Sequence, residues 1–361
     1  DISINPKEID ETIMGCVLPA GLGQAPARQA AMGAGIPSES GATTINKMCG
    51  SGLKSIMFGH DSIKAQQNNI VVAGGLENMT NAPYILSKAR KGFRMGHADV
   101  KDHMFLDGLE DAYEEGKLMG SFAEDTAEHY QFTREQQDNF AITSLERAIK
   151  ANVDGTFESE IVPIKVLNRK NEIIISKDEQ PFKSDITKIP TLKPAFRKNG
   201  TVTPANSSSI SDGAAALILA SKSYSEKEGL PVRARILGHS SYAHAPGLFT
   251  TAPVYAVKNL LKSIDWSIEM VDLWEVNEAF AVVPMAFMQE LDISRKKLNV
   301  HGGACAIGHP IGASGARIMV TLLNALERYD LKRGVAAVCI GGGEGTAIAI
   351  AVSYTHLTLP T

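Results

Sequence analysis

Two thiols, an imidazole and an amide stand out from this sequence as residues that could do chemistry. Cys49 lies in Ile45-Asn46-Lys47-Met48-Cys49-Gly50-Ser51-Gly52, just before residues that open a helix. At a helix mouth, the dipole and the free backbone N–H groups favour thiolate over thiol. Glycines beside it let a substrate approach the backbone closely. A nucleophile fits that setting, and so does a buried structural cysteine. His309 lies in His301-Gly302-Gly303-Ala304-Cys305-Ala306-Ile307-Gly308-His309-Pro310-Ile311-Gly312-Ala313-Ser314-Gly315. An imidazole among so many glycines has little to pack against. It could serve as general base toward a thiol or as donor to an oxyanion, and a core or capping role is the alternative. Cys339 ends an apolar run and precedes Ile340-Gly341-Gly342-Gly343-Glu344-Gly345. A thiol there is placed for proton transfer beside amides free to bind an oxyanion; a core strand cysteine is the plainer reading. Asn277-Glu278 follows the strand-like residues 271–276, where an amide and a carboxylate would point into the ligand crevice of an α/β fold. Asn277 would otherwise cap a helix.

Elements of two kinds must position these groups. Residues 70–73 before Gly74-Gly75, and 335–340 before Gly341-Gly342-Gly343, read as buried strands ending in glycine turns. A helix opened by small residues precedes each, at Gly50-Ser51-Gly52 and at Gly312-Ala313-Ser314-Gly315. Cys49 stands just upstream of the first and His309 of the second. This weak internal repeat predicts two similar α/β halves packed together. Between them, roughly residues 80–211 are more polar. They hold a helix near 134–151, with Thr133 and Gln136 as capping box and Ala141, Leu145 and Ala148 on one face. Strand-like runs follow at 160–166 and 172–175. The segment reads as an insertion laid over the core, a place where ligand contacts gather.

Composition narrows the function. The 361 residues are 44% hydrophobic and 21% charged, with a formal net charge of −4, which suits a globular protein with a large core. No basic run or zinc-finger spacing points to nucleic acid. Apolar stretches such as 214–220 and 334–340 are too short to span a bilayer, and the first residues do not resemble a signal peptide. Four cysteines in so long a chain do not suggest a disulfide framework; the expectation is a reduced, cytoplasmic setting, with Cys16 and Cys305 as packing residues. Gly21-Leu22-Gly23 lacks the third glycine of a dinucleotide fingerprint, no phosphate loop occurs, and no metal-binding spacing is found.

Together these blocks resemble the thiolase family, from Glu8 to about Ile350. The resemblance rests on Asn46-Lys47-Met48-Cys49-Gly50-Ser51-Gly52, Met119-Gly120-Ser121-Phe122-Ala123-Glu124, Asn277-Glu278-Ala279-Phe280, Gly308-His309-Pro310-Ile311-Gly312-Ala313-Ser314-Gly315 and Cys339-Ile340-Gly341-Gly342-Gly343. It implies a thiolase-like α/β fold with two similar halves layered helix-sheet-helix-sheet-helix. The N-terminal half would comprise residues 1–79 plus 211–233, the inserted loop domain 80–210, and the C-terminal half 234–361. It also implies a ping-pong Claisen condensation of two acetyl-CoA to acetoacetyl-CoA and coenzyme A. In that cycle Cys49 is the acyl-accepting nucleophile and His309 its base and thioester-oxygen donor. Cys339 is the acid/base at the methyl carbon, and Asn277 holds a water in the first oxyanion hole with His309. The amides of Cys49 and Gly341 form the second hole; Met119, Phe196, Ser208 and Phe280 lie near the pantetheine arm or acyl group. Coenzyme A thioesters are then substrates, with no further cofactor or metal, and a homodimer or homotetramer is expected.

The nearest alternatives are a longer-chain 3-ketoacyl-CoA thiolase of fatty-acid degradation, a 3-ketoacyl synthase, which pairs its cysteine with two histidines, and a non-catalytic acyl-CoA or lipid carrier. The match begins a few tens of residues into the family pattern, whose start supplies a central strand of the N-terminal half. The tail after about Ala351 differs from a family terminus. His301 stands where asparagine is common, and Leu118 precedes Met119 where some members carry histidine.

Overall fold

The computed structural model describes residues 4–168 and 171–352; the tail from 353 onward lies outside them. In chain order the strands are β1 (Glu11–Gly15), β2 (Gly41–Ile45), β3 (Ile70–Asn78), β4 (Tyr84–Ile85), β5 (Lys101–Asp102), β6 (Ile164–Asn168), β7 (Asn171–Ile175), β8 (Asp212–Ala220), β9 (Ala234–Ala243), β10 (Leu273–Val276), β11 (Arg333–Ile340) and β12 (Glu344–Val352). The α-helices are α1 (Pro26–Gly33), α2 (Ser51–Lys64), α3 (Met119–His129), α4 (Arg134–Val153), α5 (Gln180–Lys183), α6 (Lys222–Lys227), α7 (Ala252–Ser263), α8 (Val282–Leu291), α9 (Ala304–Ile307) and α10 (Ser314–Arg328).

Two four-stranded sheets carry the architecture, in the orders β2-β1-β3-β8 and β10-β11-β12-β9. Each repeats one pattern. A parallel pair, β1 with β3 or β10 with β11, is followed by an antiparallel partner, β8 or β12. A parallel bridge from Trp274 to Leu298 stands where β2 stands in the first sheet. The chain is therefore two similar α/β halves.

Period-two patterning divides each strand between two apolar layers. On β11, Ala336 and Val338 face inward with Leu53, Ile56, Met57, Val71, Ala73, Ile318 and Leu322. Val335, Ala337 and Cys339 face outward with Val254, Val257 and Leu260 of α7. The inner layer is filled by α2 and α10, sandwiched between the sheets. α1 lies on the outer face of the first sheet and α7 on that of the second. The order is helix-sheet-helix-sheet-helix.

Three expectations need correction. The strand at residue 70 does not turn at Gly74-Gly75 but continues to Asn78, paired with β8 along its whole length. Those glycines serve close packing: a Cβ on Gly74 would collide with Ala215 O, and one on Gly75 with Gly312 O. The strand expected at residue 160 begins at Ile164, in a hairpin with β7. The first sheet is also continuous at its centre, with β1 bonded to both β2 and β3. The insertion is built largely on α4, whose Thr133–Gln136 capping box forms and whose Leu145 and Ala148 pack against Ile189 and Ala306. Among the described residues no helix is long and apolar enough to cross a membrane.

Candidate active site

The loop from β2 to α2 ends on Cys49 through a strained turn. Met48 adopts a left-handed conformation, φ 48°, which costs roughly 1–2 kcal/mol in a residue with a Cβ. Side chains on either side hold it there. Asn46 Oδ1 accepts from the Met48 N–H at 2.9 Å. Ser51 Oγ accepts from the Lys47 N–H at 2.7 Å and donates to the Met48 carbonyl at 2.7 Å. Gly50 then caps α2, so Cys49 sits at the mouth of the helix between the two sheets.

The second half meets this loop at the β11–β12 turn. A Cβ on Gly50 would collide with the side chain of Ile340, and Lys47 forms an ion pair with Glu344, the first residue after the glycines. The turn itself needs φ of 91° at Gly342 and 87° at Gly343, values that suit glycine. The Gly341 N–H reaches the Cys49 sulfur and favours its thiolate, as does the amide of Cys49 itself, but burial is stronger. The thiol is pushed up to about 11. The backbone donors favour the thiolate, as the helix mouth predicts, but desolvation outweighs them. Cys339, wholly buried at the end of β11, is raised well above the usual thiol range by burial and then by the neighbouring Cys49. The two thiols are neighbours, close enough for charge on Cys49 to raise Cys339.

His309 lies beneath Asn277. Asn277 follows β10, its N–H donating to the Ala337 carbonyl at 3.0 Å, two residues before Cys339. Its Nδ2 is 3.3 Å from His309 Nε2. His309 Nδ1 lies 2.5 Å from Ser314 Oγ, which itself donates to the Pro310 carbonyl at 3.0 Å. The serine proton being committed, Ser314 accepts from Nδ1–H, and the lone pair stands on Nε2. Burial, then Arg317, lowers the imidazole to about 3, so it is neutral. Among the described residues, Asn277 Oδ1 is buried without a hydrogen-bond partner.

Backbone packing sets the height of the His309 loop. The Gly312 carbonyl points into a slot formed by three glycines of the first half. Added Cβ atoms would stand 2.7 Å from it at Gly15 and 3.0 Å at Gly52, and would overlap it at Gly75. Glu77 fastens the same place, accepting from the N–H groups of Val17 at 2.9 Å, Leu18 at 3.0 Å and Gly312 at 2.8 Å. Sequence reasoning missed both Glu77 and the role of Ser314; Glu77 follows Gly74-Gly75-Leu76 with nothing to mark it. Glu278 corrects an expectation: it turns away from the crevice, bonded to Ser144 Oγ at 2.7 Å, Asn299 Nδ2 at 2.8 Å and the Cys305 N–H at 3.2 Å. Asn277 caps no helix, since α8 begins at Val282.

The remaining residues form an apolar wall. Phe196 and Phe280 meet edge-on, ring centroids 5.9 Å apart. Met119 Sδ would lie 3.4 Å from a Cβ on Gly341, and the hydroxyl and amide of Ser208 both donate to the Ala279 carbonyl at 3.0 Å. His301 lies apart from these, against Phe157 and 3.3 Å from the Tyr329 hydroxyl. Cys16 and Cys305 lie on carboxylate and carbonyl oxygens, Cys16 Sγ 3.7 Å from Glu77 Oε1 and Cys305 Sγ 3.7 Å from Glu278 O.

Comparison with known proteins places these features in context. A family model described as thiolase, N-terminal domain, matches residues 1–223, and one described as thiolase, C-terminal domain, matches 230–352. An acetyl-CoA acetyltransferase of Pseudomonas aeruginosa is 48% identical over 350 residues, covering 96% of this chain and 89% of its own length. The solved acetyl-CoA acetyltransferase of Bacillus anthracis superposes with a TM-score of 0.94 at 40% identity, covering 97% of this chain and 89% of that one. A thiolase of Ascaris suum, solved in complex with coenzyme A, gives 0.92 at 43% identity, covering 97% and 90%.

Proposed function

The chain belongs to the thiolase family, and from that premise we propose that it is an acetyl-CoA C-acetyltransferase, joining two acetyl-CoA into acetoacetyl-CoA and coenzyme A. The observation that carries the reading is a pair of neighbouring thiols, one under the Gly341 N–H, beside a neutral imidazole whose lone pair Ser314 fixes on Nε2.

The protonation states dictate the order of events. With Cys49 a thiol and His309 neutral, attack on the thioester carbonyl proceeds as the Cys49 proton moves to Nε2. The tetrahedral oxyanion is held by the amides of Cys49 and Gly341; a donor of this kind is worth roughly 3–4 kcal/mol. Coenzyme A leaves as its sulfur takes the proton of Cys339, which generates a thiolate beside the acyl group. That thiolate is a strong base because burial disfavours its charge, and it removes a methyl proton from the second acetyl-CoA. The enolate oxygen is met by imidazolium Nε2–H and by a water held on the unpartnered Oδ1 of Asn277. The enolate carbon attacks the acyl-cysteine, Cys49 sulfur departs, and His309 returns its proton. Thiolysis runs the same steps backward. Met119, Phe196, Ser208 and Phe280 would line the acyl and pantetheine path. Every proton has a residue, so the cycle is assigned no cofactor.

Rates of thiolysis on acetoacetyl-CoA against a long-chain 3-ketoacyl-CoA test the acetyl assignment; a faster long-chain rate favours the degradative thiolase. Cys49→Ala should abolish acyl-enzyme formation from radiolabelled acetyl-CoA, whereas Cys339→Ala should acylate without condensing. Normal condensation by Cys339→Ala would overturn the roles. The proposal includes a cytoplasmic homodimer or homotetramer, checked by fractionation and light scattering.

A further inference from the structure

At the far end of α2 from the chemistry, three potential metal ligands gather from both halves. His60 and Asp61 are neighbours near the end of the helix, and His239 faces them from β9. Asp61 Oδ1 lies 3.4 Å from His60 Nδ1 and 2.7 Å from His239 Nε2. One ligand atom from each residue, all three mutually within 4.8 Å, completes the group. The imidazole rings stand edge to face, centroids 5.3 Å apart at 87°. A rise of 1.5 Å per residue puts the cluster roughly 16 Å along the helix from Cys49.

The ion pair of His239 with Asp61 satisfies two of the three side chains. Among the described residues it leaves His60 Nδ1 buried with no hydrogen-bond partner, an arrangement that is unfavourable unless something else fills it. We propose that the cluster is a binding site for a zinc-like divalent cation, held by His60 Nδ1, Asp61 Oδ1 and His239 Nε2 with water in the fourth position.

The spacing suits that coordination. Bonds near 2.0–2.1 Å in a tetrahedron separate donor atoms by about 3.3–3.5 Å. The separation of His60 Nδ1 from Asp61 Oδ1 already matches, and that of His239 Nε2 from Asp61 Oδ1 must open by about 0.6–0.8 Å. Two imidazoles and one carboxylate favour zinc, cobalt or nickel over magnesium or calcium, which take oxygen ligands. Asp61 is about half exposed, with 53% of its side chain accessible, which leaves an entry path and room for water. The C-terminal end of a helix carries partial negative charge, which also favours a cation. Linear spacing conceals the site, because His239 lies 178 residues from Asp61. A bound ion would clamp the helix that carries the nucleophile in the first half to the outer strand of the second.

Metal-stripped protein titrated with zinc chloride in a calorimeter, and separately with cobalt chloride under visible spectroscopy, tests this. The expected result is one equivalent bound, d–d bands of tetrahedral intensity without thiolate charge transfer, and a melting temperature that climbs with metal concentration. Asp61→Asn and His239→Gln should each weaken binding by about tenfold or more and abolish the climb. Asp61 is exposed enough for its variant to fold and decides the matter if His239→Gln does not. No binding, thiolate charge transfer bands, or isotherms for the folded variants that overlay the wild type would overturn the site. Thiolysis activity is independent of each outcome.

Discussion

Replacing Ser314 by alanine isolates the proton bookkeeping of the imidazole. Ser314 is buried, 1% exposed, and its hydroxyl is the acceptor for His309 Nδ1–H at 2.5 Å. Without it a buried N–H loses its partner at a cost of about 1–3 kcal/mol. The same energy is what biases the ring toward the tautomer with its lone pair on Nε2. Losing that bias lowers the fraction competent to accept the Cys49 proton, and at 1.36 kcal/mol per tenfold the acylation rate should fall about 5- to 150-fold. KM for acetyl-CoA should change little, because Ser314 lies behind the ring. The assay is rapid-quench formation of the labelled acyl-enzyme, with Ser314→Thr as the variant that keeps the hydroxyl and should recover most of the rate. Urea unfolding should show a stability loss of the same 1–3 kcal/mol. Acylation by Ser314→Ala at the wild-type rate would refute the assignment of the proton to Nδ1.

Other consequences can be measured alongside it. Because Cys49 is raised to about 11 and His309 lowered to about 3, iodoacetamide inactivation of the free enzyme should climb about tenfold per pH unit from 7 to 10; a plateau near neutrality would mean a preformed thiolate–imidazolium pair. Gly75→Ala drives a Cβ into Gly312 O and should cost about 3 kcal/mol or more, or prevent folding, whereas Gly33→Ala meets open space and should be neutral or stabilising in a melt. His301, held neutral by burial, is lowered to about 4. The unfolded state binds that proton first, so its contribution is complete above about pH 6.5 and lost as pH falls toward 4, at up to about 1.4 kcal/mol per unit. Glu275, raised by burial to about 8, acts oppositely, losing stability as pH rises from 4.5 to 8, so the measurement is the difference between wild type and His301→Gln in urea; identical pH slopes would exclude His301.

What was legible in the sequence was local. Thr133 and Gln136 announce the start of α4 because a capping box is a contact three residues long. The helices after Gly50 and Ala313 and the strand before Cys339 likewise show in their own residues. Gly74-Gly75 misled because glycine signals both turns and close approach, and only the other half, with Ala215 and Gly312 pressed against it, decides between them. The balance at Cys49 is hidden for a similar reason: the helix mouth is visible in the sequence, but the desolvation that outweighs it comes from distant residues. Glu77 and Ser314 fasten the site through contacts invisible to spacing, with Glu77 reaching Gly312 across 235 positions. Glu278, beside Asn277 in the chain, serves a different network.

The Gly312 carbonyl seated among Gly15, Gly52 and Gly75 bears on how such a molecule can change over time. Main-chain atoms fit main-chain atoms at this seam, so the fit is indifferent to most side-chain replacements nearby and intolerant of a single added methyl. Two parts joined in this way behave like key and lock cut from the polymer itself. Chimaeras that exchange one half between relatives should therefore retain catalytic alignment wherever the three glycines and Glu77 are kept, even where other surrounding residues have drifted.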